Sequence, residues 1–369
     1  MKKIIHLHSD HKFVSDSERF RGEYFINELL ILDTKNSSNK DYHNKALFIE
    51  PNPDNIGKIV EIVNSADALV LYNLDFYKSQ IVNRVDAKVK VIWRFFGTEL
   101  YSRKLYLYLS TKSRSFLKPR LLKDQVKRTF PFFFHNEILF YRAIRRTDAI
   151  ICVFKEEYDY LKSLWGYLPK FIPWSLESPN FYSKKIDFKT EYPKKNLIIV
   201  GNSRSYYNNH LNTLELIESR DLDQKLNIKL LFNYGSENKY TQEVREKVDC
   251  IPAVSLIDSF IPPNEFVDFY GPVAAFVNNS YRQMALGNIF MALYRGVKVY
   301  LNKNNPTYTW LKTAGIFIYD IKDFQKDLET GQYYLTKEEI LHNLNCLENL
   351  EASNTPANLQ SQILEVLNK

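Results

Sequence analysis

Along the whole chain, short β-branched and apolar runs alternate with longer stretches of helical period, and no other feature restricts the possible folds as much. Residues 3–7, 46–49, 68–72, 90–95 and 150–154 read as buried strands. Strands alternating with helices indicate a parallel sheet with helices packed on its faces. A second series follows a polar, Pro-containing stretch from Pro173 to Pro193, with strands expected at 196–200, 229–232, 274–277, 298–301 and 316–319. A length of 369 residues exceeds what one hydrophobic core usually serves, so the pattern predicts an α/β chain with two Rossmann-like, doubly wound domains facing a central cleft. The expected boundaries are an N-terminal domain over 1–175 carrying a basic, aromatic insertion at about 102–146, and a linker over 176–195. A ligand-binding domain over 196–334 and C-terminal helices over 335–369 complete the chain.

The tail carries explicit helix signals. Thr336 and Glu339 have capping-box spacing ahead of Leu341, Leu344, Leu347 and Leu350. Thr355 followed by Pro356 opens a further helix with an apolar face of Leu359, Ile363, Val366 and Leu367.

Several classes are disfavoured. Cys152, Cys250 and Cys346 form no CxxC pair and no Cys/His cluster of metal-ligand spacing, so a reduced compartment and no structural zinc are expected. The N-terminal apolar run ends too soon for a signal-peptide core, and no stretch approaches the roughly 18 apolar residues that span a bilayer. Any membrane contact is therefore expected to be peripheral. The net charge of +7 favours anionic partners in general.

Four segments carry candidate chemistry. In the first, a strand ends in Gly201-Asn202-Ser203 and an Asn-rich turn containing Asn208 leads into a helix, which places free N–H groups and a helix N-terminus where a diphosphate can bind. An Asn-capped helix with nothing bound fits the same residues. In the second, Arg282 and Gln283 follow a strand and lead into a helix whose exposed early face is expected to include Gly287 and Asn288. Arg282 suits bidentate phosphate pairing, or an ordinary surface ion pair. Tyr234 and Gly235 follow a third strand of the same sheet, which strengthens the ligand reading.

The third segment is the strand ending in Phe96-Gly97-Thr98-Glu99. It sets a carboxylate at a strand end, fit to accept a proton from a hydroxyl or to cap the next helix. His8 and Asp10, on the loop expected after the first strand, are secondary candidates. The fourth segment, 102–128, holds nine basic residues against Asp124 alone, including Lys112, Arg114, Lys118 and Arg120. Tyr101, Tyr106, Tyr108, Phe116, Phe130, Phe132, Phe133 and Phe134 interleave with it or flank it. Such a surface fits anionic lipid headgroups, while a solvated basic helix pair and RNA binding are the alternatives. No RNP, KH or zinc-knuckle pattern is present, so no nucleic acid is expected. Asp221-Leu222-Asp223 is a literal DxD, but it follows a helical run and reads as a helix-end loop. Rossmann and Walker glycine fingerprints are missing.

At residues 199–203 with Asn208-Asn209-His210, at Phe260-Ile261-Pro262, and at residues 282–289, the sequence resembles glycosyltransferase family 56, the TDP-N-acetylfucosamine:lipid II N-acetylfucosaminyltransferases. The likeness is strongest over about 196–320. In the first half it rests on Trp93 to Tyr101, where Glu99 stands in place of the family's Asp and Phe96 in place of Trp. The resemblance implies a GT-B fold, inversion at the anomeric carbon, a dTDP-linked deoxy-amino sugar donor and a polyprenyl-diphosphate-linked glycan acceptor in surface-polysaccharide synthesis. On this reading no cofactor or metal is needed. Gly201, Asn202, Ser203, Asn208, Tyr234, Gly235, Arg282, Gln283, Gly287 and Asn288 hold the donor. Glu99, with Asp10 or His8 as substitutes, deprotonates the acceptor. Lys112, Arg114, Lys118 and Arg120 rest on an anionic membrane, giving a cytoplasmic protein on the inner face. The alternatives are a UDP-sugar-dependent transferase with another acceptor, or a non-catalytic nucleotide- or RNA-binding protein.

Overall fold

The structure is a computed structural model and describes residues 1–33, 46–130, 133–176, 194–219 and 226–369. The expected linker over 176–195 falls almost wholly outside these, as do Asp221-Leu222-Asp223 and Phe132; the side chains of Lys118 and Arg128 are also outside the description.

Two compact units are present. The first comprises residues 1–103, 124–177 and 351–369, and the second 104–123 and 178–350. The chain thus enters the second unit, leaves it and returns, and its last helix closes the first unit.

The first unit is built on a seven-stranded parallel sheet with spatial order β3-β2-β1-β4-β5-β6-β7. Its strands are β1 (Lys2–His8), β2 (Phe25–Leu32), β3 (Ala46–Ile49), β4 (Ala68–Tyr72), β5 (Lys90–Arg94), β6 (Ala149–Cys152) and β7 (Lys170–Pro173). Every residue of β4 and β6 is buried, as expected of interior strands with helices on both faces. The edge strand β3 buries only Ile49. The last helix, α15 (Pro356–Leu367), packs Leu359, Ile363, Val366 and Leu367 into the same core as Ile4, Val70, Ile92 and Ile151. Gln360 fixes its position by donating to the Arg19 and Arg21 carbonyls at 2.9 and 2.8 Å. Thr355 caps the helix through the Asn358 N–H, as its spacing before Pro356 requires.

The second unit has a six-stranded parallel sheet ordered β10-β9-β8-β11-β12-β13. Its strands are β8 (Leu197–Val200), β9 (Asn227–Leu231), β10 (Val254–Ile257), β11 (Ala275–Asn278), β12 (Lys298–Leu301) and β13 (Tyr319–Asp320). The helices α8 (His210–Glu218) and α9 (Lys239–Asp249) pack Leu211, Leu214, Val244 and Val248 against the sheet. In α14 (Lys337–Ser353) the capping box forms as its sequence spacing predicts: Glu339 N–H donates to Thr336 Oγ1 at 3.2 Å, and Thr336 N–H to Glu339 Oε2 at 2.8 Å.

Both sheets run 3-2-1-4-5-6 from one edge, the doubly wound order. Each therefore has a switch point where neighbouring strands send their connections to opposite faces, β1/β4 in the first unit and β8/β11 in the second. Ligands of such sheets bind just beyond the carboxyl ends of the strands at that point. The described residues contain no helix long and apolar enough to cross a membrane.

Candidate functional sites at two switch points

In the second unit, the loops after β8 and β11 are tied together by amide side chains. Gly201 leaves β8 with φ +74°, and Asn209 sits in the left-handed region at +50°, a conformation Asn tolerates better than most residues. Asn209 Nδ2 donates to the Asn279 carbonyl at 2.9 Å, while its Oδ1 accepts from the Ser110 N–H at 2.9 Å. Asn279 in turn donates to Thr213 Oγ1 and accepts from Asn302 Nδ2 at 2.8 Å. Above this layer Asn288 Nδ2 donates to Asn202 Oδ1, and Asn202 Nδ2 to the Tyr234 hydroxyl, each at 2.5 Å. Asn202, Tyr234 and Asn288 are thus joined directly, although 86 residues separate the outer pair.

Arg282 brings positive charge to this unit. Its guanidinium lies 4.3 Å over the Tyr207 ring and donates from Nη1 to the Gln283 carbonyl at 3.0 Å. Ser280 Oγ holds the Arg282 carbonyl at 3.0 Å. Ala285, at φ +62°, ends the loop and begins α11 (Leu286–Tyr294). Gly287 is exposed in the first turn, as expected, but Asn288 is buried because its amide faces Asn202 rather than solvent. Gln283 is half-buried. Gly235 has φ +105°, and a Cβ there would stand 3.2 Å from the Arg204 side chain. Arg204 itself is paired with Glu237 and Asp258 at 3.1 and 3.4 Å.

The β1/β4 switch point in the first unit is chemically different. His8 ends β1 instead of lying on an exposed loop; it is fully buried, stacked on Tyr72 at 3.7 Å, and neither ring nitrogen has a hydrogen-bond partner among the described residues. Burial and the neighbouring His6, Lys78 and His11 push its pKa down to about 2, so the ring is neutral at pH 7. Asp10 is exposed and caps the following 3-10 turn through the Lys12 N–H at 3.0 Å, a structural use of that carboxylate.

Lys78 carries no distinguishing signal in the sequence. It lies on α2 (Phe76–Val82), fully buried, and Nζ donates to Ser9 Oγ, the Tyr72 carbonyl and Asn73 Oδ1 at 2.9, 2.5 and 2.6 Å. All three ammonium protons are used, and the loops after β1 and β4 are joined through one side chain. Burial pulls its pKa down to about 8, against the pull of Asp75, Glu99 and Asp10.

Glu99 lies in the short helix α3 (Thr98–Tyr101), which follows β5 after the turn at Gly97, φ +100°. Its Oε1 accepts from Phe96 N–H at 3.1 Å and from Trp93 Nε1 at 3.3 Å, bonds that hold the turn ahead of the helix, whose N-cap Gly97 has no side-chain cap. The second oxygen, Oε2, is buried without a partner among the described residues. Burial raises the Glu99 pKa; the hydrogen bonds and Lys78 oppose the shift. A half-satisfied carboxylate with raised pKa is what a general base needs.

The basic segment divides. Lys112 is ion-paired with Glu215, Arg114 Nε donates to the Leu109 carbonyl at 2.8 Å, and Arg103 is paired with Glu137 and lies 3.5 Å over Phe140. Tyr101 and Tyr108 are buried and Phe116 packs on the second core, so these aromatics do not form a surface. On α5 (Lys118–Thr129) and its continuation, Arg120 and Lys123 are exposed, as are Leu122, Val126, Phe130 and Phe133, the last at 81%.

Two Rossmann-like α/β units with parallel sheets of this order define the GT-B fold. Solved structures of the same architecture align over essentially the whole chain. The N-terminal domain of Candida albicans trehalose-6-phosphate phosphatase matches with TM-score 0.68 at 11% identity, covering 100% of this chain and 97% of that one. Sucrose-phosphate synthase from Thermosynechococcus elongatus matches at 0.66 and 10%, covering 100% and 98%. Anabaena HepE, solved in complex with UDP and glucose, matches at 0.63 and 12%, covering 100% of both chains. At these identities the likeness is one of fold. No family model matches the sequence, and no curated protein matches it.

Proposed function

We propose that the chain is a glycosyltransferase that binds a nucleotide sugar at the β8/β11 switch point of its second unit and uses Glu99 of its first unit as general base. The observation that carries this reading is the joining of Asn202, Tyr234 and Asn288 beside Gly201 and Arg282 at strand ends, where doubly wound sheets take phosphorylated ligands. In the reaction, an acceptor hydroxyl gives its proton to Glu99 and its oxygen attacks the anomeric carbon. The bond from that carbon to the diphosphate breaks with inversion, and its electron pair leaves on the nucleoside diphosphate. Arg282 and backbone N–H groups take up the leaving charge, so the reading needs no metal.

The finer identity follows the likeness to family 56: a dTDP-linked, N-acetylfucosamine-like sugar and a polyprenyl-diphosphate-linked glycan. A UDP-linked sugar is the second reading, supported by UDP in the HepE structure. A lipid-linked acceptor calls for a membrane-facing element, and α5 fits one at the cytoplasmic face. Leu122, Val126 and Phe130 recur every four residues on one helical face and its extension, flanked by Arg120, Lys123 and Lys127.

The test is release of nucleoside diphosphate from dTDP- and UDP-sugars, with and without polyprenyl-diphosphate-linked acceptors. Acceptor-dependent release supports the reading. Tight nucleotide binding without turnover on any donor would make the chain a binding protein instead.

A further inference from the structure

His210 is the first residue of α8, fully buried directly beneath the β8 loop. A series of hydroxyls reaches its inner ring nitrogen. Ser110 Oγ donates to Ser113 Oγ at 3.2 Å, and Ser113 hydrogen-bonds the Tyr240 hydroxyl. That hydroxyl already accepts the His210 backbone N–H at 2.9 Å and stands 3.2 Å from His210 Nδ1. With the Ser113 proton directed to the Tyr240 oxygen, the Tyr240 proton goes to Nδ1. The imidazole is then the Nε2–H tautomer. Burial pushes its pKa down to about 3, so the ring acts as a neutral donor at pH 7.

Nε2 is buried and has no hydrogen-bond partner among the described residues. It faces the backbone of Gly201: a Cβ placed on that residue would lie 2.8 Å from Nε2, with the other near atoms being His210 Cδ2 at 3.2 Å and Asn208 Oδ1 at 3.7 Å. A buried N–H donor left unpaired costs about 1–3 kcal/mol, and one held in a fixed tautomer by a hydroxyl series is set up for a partner that the described residues do not provide. Gly201 packs directly over this nitrogen, which is closed to solvent in the structure, and no larger residue fits there.

We propose that His210 Nε2–H donates to a phosphate oxygen of the bound nucleoside diphosphate when the loop backbone at Gly201 makes way for the ligand, with Ser110, Ser113 and Tyr240 fixing the donating tautomer. This rests on the nucleotide-sugar reading of the second unit and adds to it a neutral, pH-insensitive phosphate donor. Arg282 supplies charge from the neighbouring loop, and His210 supplies direction.

The test is nitrogen NMR of the full chain labelled at histidine, titrated with UDP, dTDP, UMP and uridine, beside calorimetric affinities for each. The expected result is a protonated Nε2 in the free protein whose resonance moves with UDP or dTDP and not with uridine. His210→Phe should weaken diphosphate binding about tenfold, the scale of one directed hydrogen bond, while His210→Gln, which keeps a donor amide, recovers most of it. An unprotonated Nε2 overturns the proposal, as does a resonance unmoved by a diphosphate that calorimetry shows bound; in the latter case the nucleotide reading survives. A shift produced equally by uridine overturns it in favour of a hydroxyl ligand shared with Asn208 Oδ1. If His210→Phe does not fold, the wild-type spectra decide alone. If no nucleotide binds, the nucleotide-sugar reading and this inference fail together.

Discussion

The two switch points share a strand order and differ in chemistry. At β8/β11 the loops are joined by neutral amides and hydroxyls, with the Arg282 guanidinium stacked on Tyr207. At β1/β4 and the adjoining end of β5, titratable groups are buried together: His8, Lys78 and Glu99, all with pKa values moved by burial. Amides give fixed hydrogen bonds whose state does not change with pH, as a site that grips a ligand requires. Buried titratable groups cost stability unless they are matched, and they are kept where protons move. On the proposed reading, the same topology separates binding from proton chemistry.

The largest effect should come from removing the proton acceptor. Glu99→Gln should slow sugar transfer by roughly 10²–10⁴-fold at unchanged nucleotide affinity, measured as turnover beside a binding titration. In the wild type the acid limb of the rate profile should stand above the ordinary carboxylate range, because burial raises the Glu99 pKa. A raised folded-state pKa also means that this group favours the fold most below its unfolded pKa and progressively less as pH rises through the folded value. Glu99→Gln should therefore be more stable than wild type at pH 7, and the difference should vanish in acid. Full activity in the variant would move the base elsewhere.

Lys78→Met should cost about 1–3 kcal/mol in a denaturant titration near neutral pH, since Asn73 Oδ1 and the Tyr72 carbonyl lose their donor. The Lys78 pKa is lowered to about 8, so its contribution favours the fold at high pH and is lost as pH falls through that value. Wild-type stability should rise relative to the variant between about pH 7 and pH 10. A flat difference across that range would show that Lys78 is not desolvated as the structure has it.

How legible were these features in the sequence? Glu99 was readable because a carboxylate follows the apolar run of β5, and the caps at Thr336 and Thr355 because their partners lie within four residues. Strand β2 was missed because Asn27 and Glu28 interrupt its pattern; their side chains answer to His6 and Lys3 on β1, a pairing sequence does not display. The short strands β7 and β10 gave too few residues to establish a period. Lys78 looked like any helix-surface lysine, because one of its partners, Ser9, is 69 residues away. His8 was read as a loop residue because β1 continues further than its apolar run.

The smallest effects concern the membrane. Charge reversal of Arg120, Lys123 and Lys127 should weaken sedimentation with anionic vesicles, by about 1 kcal/mol per residue at low salt, and leave nucleotide binding unchanged. Reversal of Lys112, already paired with Glu215, should contribute less than any of these. Vesicle binding indifferent to salt and to these reversals would remove α5 from the account.

The contrast between the two switch points is tested most directly by calorimetric titration of UDP and dTDP into wild type, Arg282→Ala and Glu99→Gln. Binding at the β8/β11 end predicts that Arg282→Ala loses about 1.5–3 kcal/mol of affinity, the worth of a hydrogen bond to a charged group, while Glu99→Gln binds as wild type does. Equal affinity in Arg282→Ala and wild type, or a loss confined to Glu99→Gln, would contradict the assignment of the nucleotide to the second unit.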